Sequence, residues 1–208
     1  MKGAFLGKRV RLKDSKGRET LIEGIRFVSR NNVHRMGIRL YVTPLNYSGI
    51  IEVESIIDGT IINFYDAPRF KVKHTYMTAN EKLAADGCYV EVATRENHLH
   101  VGCGCRIEAY ADGKQILGNR MISRFGEQSV EFGDIHVEEE IVKYVSMYTE
   151  RECPAYALHT TIEKEIEGFV ETGFDQELKA HEDVYKKMWE NADIQITGDD
   201  ELNRAVRF

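Results

Sequence analysis

The chain has 208 residues, of which 42% are hydrophobic and 30% charged, with a formal net charge of −6 at pH 7. Those proportions describe an ordinary globular protein with one good core, or one domain with an appendage, and acids interspersed with bases argue against a nucleic-acid or anionic-membrane surface as the main business. No run of about 18 apolar residues supplies a membrane span, the Met1–Lys8 segment is too poor in apolar residues for a signal peptide, and four cysteines without one point to reduced thiols in the cytoplasm.

From Lys8 to about Cys153 apolar residues alternate between turn signals. Val10–Lys13 leads through the hairpin-like Asp14-Ser-Lys-Gly17 to Leu21–Ser29. Met36–Thr43 follows, with Ile38, Leu40 and Val42 on one face, then Ile50–Ile57, where Glu52 and Glu54 alternate with Ile51 and Val53. The turn dipeptide Asp58-Gly59 precedes a strand at Ile61–Phe64. Further strands are predicted at Phe70–Thr78, Cys88–Thr94, His98–Tyr110 and Val130–Tyr148, with turns at Asp86-Gly87 and Asp112-Gly113. Closely spaced strands without intervening helices predict a mainly β fold, an antiparallel β-sandwich.

After Pro154 the period becomes helical. Thr160-Thr-Ile-Glu163 resembles a capping box, and Ile162, Ile166, Phe169 and Val170 form one apolar stripe. Gly173 is a stop signal, and Asp175 is placed to cap a second helix with Leu178, His181, Tyr185, Met188 and Trp189 on one broad face. Asp199 or Asp200 caps a third start, where Leu202, Ala205 and Val206 begin another stripe. A helix of about eight residues is marginal alone in water, so a further domain is expected beyond Phe208. The predicted organisation is a sandwich domain over residues 1–153 and a helical linker over 154–208.

Candidate chemistry is sparse. His98 and His100 alternate along a predicted strand and would share a face, with Glu91 or Glu108 as a guessed third ligand. Histidines on a polar or partly buried sheet face explain them better than a metal site. Cys103 and Cys105 lie on the opposite face with Leu99, Val101 and Ile107 and read as small buried hydrophobes. Gly102 and Gly104 signal close backbone approach or a bulge rather than a phosphate cradle, because they sit inside a strand. Among Glu138-Glu-Glu140 only the outer two are co-facial, and an inverting acid–base pair needs carboxyls roughly 6.5–9.5 Å apart across a cleft. Trp189 reads as a packing anchor, while Tyr41, Tyr47 and Tyr65 are the aromatics that could stack on sugar rings. Neither a Gly-x-Ser-x-Gly elbow nor a Walker loop is present.

Two motif clusters carry a resemblance. Arg26-Phe-Val-Ser29, His34-Arg-Met36, Val42-Thr-Pro-Leu-Asn-Tyr-Ser-Gly49 and Ile51-Glu-Val-Glu-Ser-Ile-Ile-Asp-Gly59 form the first. Gly173-Phe-Asp175, Leu178, His181, Trp189, Ala192-Asp-Ile-Gln-Ile196, Gly198-Asp199 and Arg204-Ala-Val-Arg-Phe208 form the second. From about Arg18 onward the chain resembles glycoside hydrolase family 65, which includes kojibiose, maltose, nigerose and trehalose phosphorylases.

That resemblance implies the family's super-β-sandwich, lacking its first strands, followed by an αα linker to a catalytic (α/α) barrel. The barrel, with its general-acid glutamate and phosphate-binding residues, has no counterpart in these residues. The implied parent reaction is phosphorolysis of α-glucosidic disaccharides with inversion, phosphate attacking where an inverting hydrolase would use water. This chain is therefore expected to carry no catalytic, cofactor-binding or metal-ligating residue and to need no cofactor. Its implied partners are the barrel, on the same or a separate chain, and a second copy in a homodimer, with carbohydrate as the ligand class and neither nucleic acid nor membrane. A stand-alone carbohydrate-binding or assembly module is the alternative.

Overall fold

The computed structural model describes residues 4–59, 63–64, 71–72, 75–83, 86–111, 113–116, 120–124, 127–135, 139–192, 197–198 and 201–202. Its strands are β1 (Leu6–Lys13), β2 (Glu19–Val28), β3 (Arg35–Pro44), β4 (Gly49–Ile56), β5 (Asn63–Phe64), β6 (Lys71–Val72) and β7 (Thr75–Leu83). They continue with β8 (Gly87–Thr94), β9 (His100–Ala111), β10 (Lys114–Ile116), β11 (Arg120–Arg124), β12 (Glu127–Ile135) and β13 (Glu139–Thr149). A 3-10 turn at Ala155–Ala157 leads into α1 (Leu158–Thr172) and α2 (Phe174–Ala192).

Among the described residues, the strands form an eight-stranded antiparallel sheet ordered β1-β2-β3-β13-β9-β8-β7, with β10 paired to the far end of β9. A second sheet runs β11-β12-β4, and β5 pairs with β6. The two larger sheets make the expected sandwich. Between them Val42, Ile107, Ala109 and Ile141 pack with Leu40, Val53 and Ile116, beside Cys88, Cys105 and Val145.

The helices cover the other face of the large sheet. Phe27, Tyr89, Val142 and Tyr144 pack there against Ile162, Ile166, Phe169 and Phe174. Strand β13 explains the three-layer arrangement: Val142 and Tyr144 meet the helices, while on the opposite face Ile141 packs with Val53 of the small sheet and Val145 with Cys88, Cys105 and Ile57. A strand apolar on both faces must be central.

Gly104 fixes how closely α1 approaches. A Cβ there would lie 2.6 Å from Ile162 Cγ2 and 3.2 Å from Ile166 Cδ1, and one at Gly102 would meet Tyr89 Oη at 2.7 Å. Close approach is thus the role of both glycines.

Several local expectations change. Val130–Tyr148 is two strands in different sheets, β12 and β13. Gly87 is a buried strand residue rather than an open turn. Helix α1 starts at Leu158, capped by the backbone after Pro154, so Thr160 lies inside its first turn without a capping bond. Asp175 likewise falls inside α2. Ile61, Ile62, Tyr65, Phe70, Asp112, Glu138, Asp193–Ile196, Asp199, Asp200 and the stripe at Ala205 and Val206 lie outside the described residues.

Candidate functional site

The two motif clusters, far apart in sequence, meet in one buried polar junction. Strand β2 ends before Ser29, whose hydroxyl accepts the backbone N–H of Asn31 (3.2 Å) and Asn32 (3.0 Å) and donates to Glu177 Oε1 at 2.6 Å. Arg35, opening β3, donates from Nε to Glu165 Oε1 (2.7 Å) and from Nη1 to Glu177 Oε2 (2.8 Å) and Thr172 Oγ1 (3.2 Å). Its guanidinium sits 5.3 Å from the Phe169 ring centroid. One cation faces two carboxylates, and neutral donors meet the surplus charge: Asn32 Nδ2 and Tyr148 Oη reach Glu165 at 2.8 and 3.0 Å. Burial alone would raise the Glu165 pKa, but bonds from Arg35, Tyr148 and Asn32 outweigh it and hold the carboxyl below its ordinary value.

His181 locks the adjoining turn of α2. Its Nδ1 accepts the Arg30 N–H at 2.9 Å, so the proton sits on Nε2, which donates to the Ala4 carbonyl at 2.8 Å. The ring lies against Phe27 and Tyr185, with centroids at 5.3 and 4.9 Å. Phe27 meets Phe174 edge-on at 5.3 Å over Gly37, where a Cβ would come within 2.6 Å of Phe27 and 2.9 Å of Phe174. Arg39 stacks on Phe174 at 4.1 Å and pairs with Asp175 (2.7 Å) and Glu140 (2.8 Å). These motif residues hold the helices on the sheet.

The Thr-Pro-Leu-Asn-Tyr turn does similar work. Asn46 accepts the Glu19 N–H at 2.8 Å and donates to the Gly17 carbonyl at 3.0 Å, tying the β1–β2 hairpin to the crossover between sheets. Tyr47 Oη lies 2.7 Å from Thr20 Oγ1 under the Arg18 guanidinium. Tyr47 and Tyr41 are half-buried with engaged hydroxyls, the latter donating to Glu140 at 3.5 Å, so neither is an open sugar platform.

The histidine pair does not share a strand face. His98 precedes β9 with a φ of 53° and meets Tyr76 Oη through Nδ1 at 3.1 Å. His100 instead binds Glu91, Nδ1 to Oε1 at 2.6 Å. Glu91 is 2% exposed and also accepts from Tyr89 Oη (2.8 Å) and Asn80 Nδ2 (3.1 Å). Burial would raise its pKa, but these bonds, led by that of His100, keep it low. Glu108 takes the Tyr110 hydroxyl at 2.6 Å. Among the described residues no group of three or more His, Cys, Asp or Glu is arranged to hold a metal.

Cys88 and Cys105 face each other across β8 and β9 with sulfurs 3.5 Å apart, both buried as thiols. Burial pushes the Cys103 thiol up to about 11. Beyond Tyr89, a cleft of about 380 Å³ opens between α1 and the β8–β9 end of the sheet. Trp189 is half-buried on α2, while Met188 beside it is exposed.

Geometry therefore defines a β-sandwich whose distinctive residues secure a helical cap. The model for the glycosyl hydrolase family 65 N-terminal domain matches residues 1–188, and the chain belongs to that family. It is 40% identical to kojibiose phosphorylase of Thermoanaerobacter brockii over 216 aligned residues, covering all of this chain and 28% of that protein. It is 25% identical to the α,α-trehalose phosphorylase of the same organism, again over the whole chain and 28% of the relative. A solved human-microbiome structure carrying a kojibiose phosphorylase assignment superposes with a TM-score of 0.79 at 11% identity, over 99% of this chain and 26% of that one. The chain thus spans a little over a quarter of the length of the curated relatives it matches.

Proposed function

We propose that this chain is the non-catalytic N-terminal domain of a disaccharide phosphorylase, in which residues 1–153 form the sandwich and 154–208 lead toward a catalytic barrel. The reading rests on one observation above the others: the motif residues Ser29, Arg35, Phe174 and His181 are consumed in holding the helices on the sheet. The relatives named as phosphorylases extend well beyond the matched segment. In the whole enzyme, phosphorolysis of an α-glucosidic disaccharide with inversion would use an acid and a phosphate site supplied by that remaining length. The sandwich contributes architecture, a homodimer contact and one wall of the approach to the active site. Free thiols at Cys88 and Cys105 fit a cytoplasmic setting. Among the described residues no helix is long and apolar enough to cross a membrane.

The test is complementation. This chain would be co-expressed with the remainder of the Thermoanaerobacter brockii kojibiose phosphorylase, starting where the alignment ends. Co-purification and release of glucose 1-phosphate by the pair support the reading. Separate elution of two folded chains, with no activity, counts against it.

A further inference from the structure

The cleft beside α1 matches a ligand of definite chemistry. Its walls carry Asp86, Glu163 and Glu167 as acceptors and Lys82, Arg106 and His159 as donors. Three carboxylates against two permanent cations make it a poor host for phosphate or a sugar phosphate. A neutral molecule whose neighbouring groups both donate and accept satisfies both sets, and a sugar's hydroxyls do so. Ile162, Ile166 and Tyr89 close the inner wall almost wholly buried, at 1%, 8% and 3% exposure, so recognition falls to the polar groups nearer the mouth. A volume of about 380 Å³ lies at the small end of small-molecule sites and suits one or two pyranose rings.

The cleft is also held rigid before any ligand arrives. Tyr89 is 3% exposed, its hydroxyl is fixed on Glu91, and its ring meets the His159 ring edge-on at 4.9 Å. Arg106 is aimed by Asp86 at 2.9 Å and Glu108 at 3.5 Å. Gly104 lets Ile162 and Ile166 close the inner wall. Preformed polar groups reduce the ordering cost of binding.

We propose that this cleft, bounded by Tyr89, Arg106, His159 and Glu163, is a binding site for a neutral mono- or disaccharide. It is independent of the non-catalytic reading above: its failure leaves that reading intact, and phosphorolysis by the chain would not establish it.

The test is an NMR titration of the isotope-labelled 208-residue chain with glucose, maltose, kojibiose and glucose 1-phosphate. The site predicts saturable millimolar binding of a neutral sugar, with shifts centred on the amides of Gly87, Tyr89, Arg106 and Glu163. Glucose 1-phosphate should bind more weakly than glucose. His159→Ala and Glu163→Ala should each weaken binding at least fivefold. Glu171→Gln, exposed on the same helix outside the cleft, should bind as the parent does. Circular dichroism confirms that each variant is folded. No saturable shift for any neutral sugar, shifts centred elsewhere, tighter binding of glucose 1-phosphate, or parental affinity in both cleft variants would each overturn the proposal.

Discussion

Replacing Glu177 with Gln should cost far more than an isosteric change suggests. Both carboxylate oxygens accept: Oε2 takes Arg35, and Oε1 takes Ser29 and, more weakly, Asn31. A glutamine must turn its NH2 toward one side. Toward Arg35 it confronts a guanidinium. Toward Ser29 it meets an oxygen already accepting two backbone N–H groups. The amide therefore lacks an acceptor in either orientation, at a site where Glu177 is 1% exposed.

Losing a charge-assisted bond costs about 1.5–3 kcal/mol, and an unsatisfied buried donor adds about 1–3 kcal/mol. Glu165 remains to neutralise Arg35, which keeps the total near 3 kcal/mol, below the loss of a whole buried pair. For a chain of this size that is a fall of about 6–12 °C in Tm. Urea unfolding followed by far-UV circular dichroism and by the fluorescence of Trp189, on the same helix, measures it. The exposed Glu171→Gln should stay within about 0.5 kcal/mol. A loss below about 1 kcal/mol for Glu177→Gln would refute the saturated junction. A double-mutant cycle with Arg35→Met should give a coupling of about 1–3 kcal/mol.

Three further outcomes follow from the same structure. Gly104→Ala should destabilise by about 1–3 kcal/mol in urea titration, because its Cβ would push Ile162 and Ile166 off the sheet, and Ile162→Ala, which removes the clashing Cγ2, should cost less in the Gly104→Ala background than in the parent. Glu165 and Glu91 have folded-state pKa values below the ordinary value, so the unfolded chain binds more protons in acid. Their contribution is complete above about pH 4.3 and disappears as pH falls through the folded values. Arg35→Met should flatten that acid limb in denaturation followed from pH 6 downward. Native labelling with a maleimide should modify partly exposed Cys153 before buried Cys88 and Cys105, with mass spectrometry of peptides as the readout, and equal rates would contradict the buried cluster.

Periodicity made the sandwich legible because β3 and β4 alternate apolar and polar residues and long strands dominate the fold. Periodicity runs β12 into β13 because alternation does not show where a chain changes sheet. The short polar β10 gave no signal, with only Ile116 among its three residues apolar. Simple alternation puts His98 in register with His100, yet the Arg95–Asn97 turn and a positive φ place it before the strand.

The junction was half legible. Ser29, Phe174 and His181 belonged to the motifs, whereas Glu165 and Glu177 look like ordinary solvated helix charges. Their roles come from Arg35, 130 and 142 positions away in sequence, a pairing that local pattern cannot reveal. The cleft is less visible still, because its walls come from β7, β8, β9 and α1 and the β7–β8 connection, which only the fold brings together.

If the matched segment is scaffold, phosphorolysis belongs to the length that its relatives have beyond it. Purified 208-residue chain would be incubated with inorganic phosphate and kojibiose, maltose, nigerose or trehalose, and glucose 1-phosphate measured by a coupled enzymatic assay. No release above the protein-free control is expected with any of the four sugars. Sustained release that scales with the concentration of this chain would contradict it.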